Sequence, residues 1–263
     1  MSTLHNTWKV ITFGMVACGA LLVWPAQLSA AELSLLSSLG VKPVIDALAP
    51  GFERATGYKW HIHFALTPQI PQLAAKGEAF DVAITSPKHI VEMTEQGKIA
   101  ANSARDVARF SLAIGVRGGA AKPDVASPAA LKRVLLDAKS VAYVGTGSTG
   151  PLVLAALEKL GVANEVKPKL KSGSVAENFS DVARGKTEML VMPVPLIKAA
   201  KGVALAGALP PEVQQHVMMT AGVSASSQNR TAAEALVKFL VSPEAQALII
   251  EKGYDRLPQH TSR

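Results

Sequence analysis

The sequence predicts an α/β fold built from strand–helix units over a largely parallel sheet. Three observations carry that prediction. From Glu32 onward, short apolar segments of strand length alternate with stretches whose apolar residues recur at helical spacing. Glycines close the helical stretches, at Gly57, Gly77, Gly97 and Gly161. Three consecutive strand ends deliver hydroxyl residues to a helix start, at Ser37-Ser38, Thr67-Pro68 and Thr85-Ser86-Pro87.

Residues 33–36 read as the first strand. Residues 43–56 then place Val44, Ile45, Leu48 and Phe52 on one helical face, and Pro50-Gly51 predicts a kink there. Residues 59–64 alternate as a second strand, followed by a helix from Thr67-Pro68 to Ala75. Residues 80–84 form the third strand, and the next helix runs from Pro87 to near Gly97. Residues 110–116 are a strongly apolar strand, and Ser127-Pro128 starts a helix to Ala138. Residues 140–144 lead through a glycine-rich loop, 145–150, into a helix over 152–160. Residues 188–191 and 217–224 read as extended, and helices over 231–240 and 243–252 precede a polar tail. There is no internal repeat, low-complexity tract or evident linker.

The N-terminus reads as an address. Lys9 supplies a positive start, residues 10–23 are apolar and uncharged, and Pro25 precedes the small residues Ser29, Ala30 and Ala31. This predicts a secretory signal over 1–31, cleaved after Ala31, and a periplasmic protein. The apolar run falls short of the roughly 20 residues that span a bilayer. Cys18, the sole cysteine, lies inside the signal, so the mature chain has no thiol or disulfide. Met15-Val16-Ala17-Cys18 also resembles a lipoprotein processing site, but the apolar run continues past it to Trp24.

Removing 31 residues from 263 leaves 232, enough for one large or two small domains. The formal charge of +7 is spread thinly, and aromatic residues make up 5% of the chain. Without a Lys/Arg block or stacking aromatics the composition excludes nucleic-acid binding, and it suits a small anionic ligand.

Hydroxyls at helix starts are what such a ligand requires. A helix N-terminus has about four unpaired N–H groups and roughly half a unit of positive charge. Several termini converging on one cleft bind an anion without a full counter-charge. The candidate ligand residues are Ser37, Ser38, Thr67, Thr85, Ser86, Ser148 and Thr149, each of which has a plain helix cap as its alternative role. Arg109, just before an apolar strand, is the charged candidate, either forking onto an anion or pairing with Asp106.

Other chemistry is thin. The loop Gly145-Thr146-Gly147-Ser148-Thr149-Gly150 matches G-x-G-x-x-G, yet Pro151 stands where a P-loop carries Lys, and Glu165 lies beyond a short helix with no clear strand to present it. A turn exposing backbone N–H groups to a smaller anion is the better reading. His61 and His63 share a strand face without a carboxylate or thiol cluster, so a solvated face is favoured over a metal site. Ser148 sits in no G-x-S-x-G elbow. An enzyme on this fold would rely on Ser148 and His89 within hydrogen-bond reach. No catalytic residue, metal or cofactor is assigned.

Four stretches, Ser37-Ser38-Leu39, the segment 49–57 (APGFERATG), the segment 77–84 (GEAFDVAI) and the segment 239–245 (FLVSPEA), together resemble the molybdate-binding-protein-like receptors of bacterial ABC transporters. The resemblance spans nearly the whole mature chain and implies the two-lobed type II periplasmic binding fold, with a mainly parallel sheet in each lobe and a hinge. It places residues 32–109 and 217–263 in one lobe and 110–216 in the other. It implies a monomer that delivers a small anion to an inner-membrane permease. By position, Ser38, Thr67 and Thr85 match the family's hydroxyls after its first three strands. The family's second-lobe tyrosine has no match in Met192-Pro193-Val194-Pro195, and Arg109 adds a charge that a hydrogen-bonded oxyanion does not need. A small carboxylate therefore stands beside molybdate as ligand. A sensory receptor serving a signalling partner would use the same binding chemistry.

Overall fold

A computed structural model of the chain describes residues 32–258. The signal reading over 1–31, with Cys18, and the end of the polar tail, with His260, lie outside the described residues.

The first part of the chain runs β1 (Glu32–Ser38), α1 (Lys42–Thr56), β2 (Lys59–Ala65), α2 (Ile70–Ala75), β3 (Val82–Thr85) and α3 (Pro87–Glu95). The long strand β4 (Arg105–Arg117) follows, then α4 (Pro128–Asp137), β5 (Val141–Tyr143), α5 (Gly150–Lys159), α6 (Ala163–Val166) and β6 (Leu170–Ser172). The remainder is α7 (Val175–Ala183), β7 (Met189–Pro193), α8 (Val194–Ala199), β8 (Val203–Ala208), β9 (His216–Val223), α9 (Arg230–Leu240) and α10 (Pro243–Glu251).

The strands order as β2-β1-β3-β9-β4-β7-β5-β6, with β8 also paired to β4. Pairing is parallel in the two outer parts, β2-β1-β3 and β7-β5-β6, and antiparallel along the seam made by β9 and β4. That mixture has a simple cause: outer strands are joined by helical crossovers, whereas β4 and β9 carry the chain back and forth between the parts. β4 pairs with β9 through Ser111 and with β7 from Leu112 onward. At the switch, the Gln214 side chain substitutes for a strand residue. It accepts from the Leu112 N–H at 3.0 Å and donates to the Leu112 carbonyl at 2.9 Å.

Each part of the sheet is covered on both faces. In the first part, β1 sends Leu33 and Leu35 to a core shared with α1 and α9, and Leu36 to a core under α2 and α3. In the second, β4 sends Leu112 and Ile114 to one core and Ala113 to another, where it meets Leu190 and Met192. Asp81 ties the first part together: its carboxylate accepts from the Ser34 N–H at 2.9 Å and from the Ser227 hydroxyl at 2.6 Å.

The predicted elements are present, with one instructive difference in bounds. α1 continues as a helix through Pro50, because the buried row Val44, Ile45, Leu48 and Phe52 holds it against the core despite one missing N–H donor. β4 begins at Arg105 rather than Phe110, because its polar first half is held by β9 pairing instead of by an apolar pattern. Among the described residues no helix is long and apolar enough to cross a membrane.

Candidate functional site

The parallel register of β1 with β2 and β3 delivers three loop starts to one sheet edge. Ser38, opposite Ala65 at the end of β1, caps the 3-10 turn that follows by accepting from the Gly40 N–H at 3.2 Å. Thr67 opens the turn after β2, and the Ser38 and Thr67 hydroxyls lie 2.7 Å apart, 1% and 4% exposed. Thr85, ending β3, donates to the Thr67 carbonyl at 3.2 Å. From the other part of the molecule, Ser148 donates to the Thr67 hydroxyl at 3.3 Å. Thr67 thus joins hydroxyls from both parts.

Ser38, Thr67 and Ser148 line a cavity of about 40 Å³, room for about three water-sized positions. Ser38, Thr67, Ser148 and Thr149 form its polar side, with Gly40 and Gly147 presenting backbone. Leu39, Leu66, Phe110, Val144, Met192 and Leu196 form an apolar wall. Among the described residues no ionisable side chain lines the cavity. Positive potential comes instead from helix starts: α5 begins directly after Ser148-Thr149, and Val175, the first residue of α7, is part of the lining. In α7 the Ser174 hydroxyl accepts from the Glu177 N–H, while the Glu177 carboxylate accepts from the Ser174 N–H and is held below its ordinary pKa.

The turn after β1 is braced from behind. The buried Tyr254 hydroxyl donates to the Gly40 carbonyl at 2.8 Å, and its ring meets Phe110 edge-on at 6.1 Å. Burial pushes the Tyr254 phenol well above its usual range. A side chain at position 40 would start 3.0 Å from the Phe110 ring, so glycine lets Phe110 reach the cavity.

Of the eight predicted site residues, Ser38, Thr67, Ser148 and Thr149 line the cavity. Thr85 stands one layer behind, supporting Thr67. Ser86 acts as a helix cap, accepting from the His89 N–H at 3.4 Å. Ser37 is not in the lining: adjacent strand residues point to opposite faces, and its hydroxyl is buried on the face away from Ser38, with no partner among the described residues. Arg109 is absent for the same reason. Phe110 lines the cavity, so its neighbour faces the other way, and the Arg109 carbonyl accepts from the Asp255 N–H at 2.7 Å. Asp106, its suggested partner, accepts from the Thr220 hydroxyl instead.

The glycine-rich loop folds on itself. A side chain on Gly150 would start 2.4 Å from the Gly145 carbonyl oxygen, and the amides of Gly147 and Gly150 donate within the loop, to Val144 and Gly147. His63 pairs with Glu78 on an exposed strand face. Ser148 and His89 do not meet: Ser148 reaches Thr67, and His89 lies 3.3 Å from the Thr85 hydroxyl. A separate Ser111–Asp255–His216 cluster sits at the seam. There the Ser111 proton goes to the carboxylate at 2.8 Å rather than to the imidazole, so it does not assemble an activated nucleophile. Among the described residues no three His, Cys, Asp or Glu side chains gather as a metal site.

The apolar wall was missed in the sequence. Met192 and Pro193 end β7, the same strand-end position that flagged the hydroxyls, but apolar side chains there carry no chemical cue.

A sequence profile of bacterial extracellular solute-binding proteins matches residues 33–255. The aconitate isomerase of a Pseudomonas species is 31% identical over 252 residues, covering 92% of this chain and 96% of its own. The molybdate-binding protein ModA of Azotobacter vinelandii is 29% identical, covering 92% and 93%. The solved periplasmic molybdate-binding protein of Azotobacter vinelandii superposes with a TM-score of 0.74 at 20% identity, over 86% of this chain and 100% of that one. The chain belongs to the bacterial extracellular solute-binding proteins, in the molybdate-binding-protein-like group with the type II periplasmic binding fold.

Proposed function

We propose that the protein is the periplasmic receptor of an ABC importer, exported by a signal over residues 1–31. Residues 32–109 with 217–263 form one lobe and 110–216 the other, and they close over a small anion, a molybdate-like oxyanion or a small carboxylate. The monomeric closed form is what the inner-membrane permease engages. One observation carries this reading: hydroxyls from both parts of the chain, Ser38, Thr67 and Ser148, meet at 2.7 and 3.3 Å around a cavity flanked by helix starts. Such donors replace the hydration of a negative guest without a buried counter-charge.

Thermal melting of the mature chain against molybdate, tungstate, sulfate, phosphate and small carboxylates tests it. A ligand present at 100 times its Kd stabilises by about 2.7 kcal/mol, enough to raise the Tm visibly. A panel in which no anion raises the Tm overturns the reading.

A second reading is favoured by the 31% identity to an aconitate isomerase. Acid–base isomerisation needs a titratable group within reach of the substrate, and none among the described residues lines the cavity, which supports binding over turnover. Aconitate supplied as one isomer and followed by NMR decides the matter: conversion at a rate proportional to protein establishes the enzyme, and an unchanged spectrum leaves the receptor.

A further inference from the structure

Away from the cavity, the two parts of the chain touch again at the end of α10. The segment after this helix satisfies the carbonyls of its last turn: Leu248 accepts from the Lys252 N–H at 3.0 Å, Ile250 from the Gly253 N–H at 2.9 Å and Ile249 from the Tyr254 N–H at 3.3 Å. The next carbonyl in the row, that of Glu251, accepts from the Lys198 ammonium at 3.0 Å, a donor supplied by α8 in the other part of the molecule. A helix C-terminus is also where the helix dipole favours a cation. Gly253 lets α8 come this close. Its φ of 95° is a left-handed conformation that side chains disfavour, and a Cβ there would start 2.6 Å from Lys198 Cδ and 3.3 Å from Val194 Cγ1.

The helix held in this way carries part of the cavity wall. Met192 and Pro193, just before α8, and Leu196, within it, line the cavity, whereas Lys198 is exposed and does not. The segment that Lys198 grips is itself fixed. Tyr254 donates to the Gly40 carbonyl, and the Asp255 carboxylate accepts from the Ser111 hydroxyl at the seam. Contacts at the seam sit on the strands that join the two parts and survive a change of angle between them. A bond from a side chain of one part to a helix end of the other does not. Resting on the two-lobe receptor reading, we propose that Lys198 is a latch. It is a positioning residue that touches no guest, lets go when the lobes part, and on closure holds α8 and its wall residues over the bound anion.

Calorimetric titration of the mature protein with molybdate, sulfate and acetate, together with small-angle X-ray scattering without any anion, tests this. A latch biases closure and not contact with the guest, so Lys198→Met is expected to raise the Kd of every anion that binds by about fivefold, with their ranking unchanged. Lys198→Arg, which keeps a donor, retains most of the affinity. Lys201→Met removes an equal charge three residues further on and leaves the Kd unchanged. In scattering, ligand-free Lys198→Met has a larger radius of gyration than the wild type. A Kd in Lys198→Met equal to that of the wild type, an equal loss in Lys201→Met, or a changed ranking of the anions overturns the latch and leaves the receptor reading intact. If the wild type binds no anion, that reading falls, and scattering alone decides the latch: an unchanged radius of gyration overturns it.

Discussion

The two parts of the molecule meet at the cavity with unequal chemistry. The first brings a network that is complete within itself: Ser38 to Thr67, Thr85 to the Thr67 carbonyl, and Tyr254 to the Gly40 carbonyl. The second brings one hydroxyl contact, Ser148 to Thr67 at 3.3 Å, together with Val144, Met192 and Leu196. Donors fixed by contacts inside one part need no ordering when a guest arrives, whereas those from the other part count only when the two touch. On the proposed function, the first part recognises charge, and the second covers the guest and selects its shape.

Hydroxyl deletions test that asymmetry. Thr67→Val keeps the shape but removes the oxygen that both serines share, and is expected to weaken anion binding by about 2 kcal/mol, roughly thirtyfold in Kd. Ser38→Ala removes a donor from the prebuilt network and is expected to cost roughly tenfold. Ser148→Ala removes a longer contact made across the two parts, with roughly a threefold loss. Calorimetry with the tightest anion of the panel ranks the three; a Ser148 variant weaker than the Ser38 variant breaks the comparison.

The smallest effect concerns the brace behind the first part. Tyr254→Phe keeps the ring against Phe110 and loses the bond to Gly40, for about 1 kcal/mol of stability near neutral pH. Because burial raises the phenol's pKa, the unfolded chain releases its proton first as pH climbs past about 10, so the stability held by Tyr254 is present below that pH and is lost above it. Denaturant melts between neutral and alkaline pH should therefore fall less steeply for the phenylalanine variant. An equal slope in both proteins shows that the buried phenol is not what the alkaline limb reports.

Much of the fold was legible because its signals are local. Val44, Ile45, Leu48 and Phe52 declare α1 by spacing alone, and Ser86, Ser127 and Ser242 each accept from an N–H three residues on, as helix caps do. The stretch 163–199 yields only the strand over 188–191 from sequence: α6 and α8 are short, and the capping box of Ser174 and Glu177 that starts α7 is passed over. The site was half legible. Position at a strand end marks Ser38 and Thr67, but it marks Ser37 and Thr85 equally, and the face each one takes is set by register rather than by residue type.

By itself, the amino-acid sequence determined the alternation of strands and helices, the hydroxyls at their junctions and an acid–base-poor composition in those turns, since each depends on neighbours a few residues apart. Only the tertiary structure decided that Ser148 meets Thr67 from 81 positions away, that Arg109 turns from the cavity while Phe110 enters it, and that Met192 and Leu196 close the wall. Strand pairing and the β4–β9 seam bring those groups together, and contacts between distant segments leave no mark in local spacing.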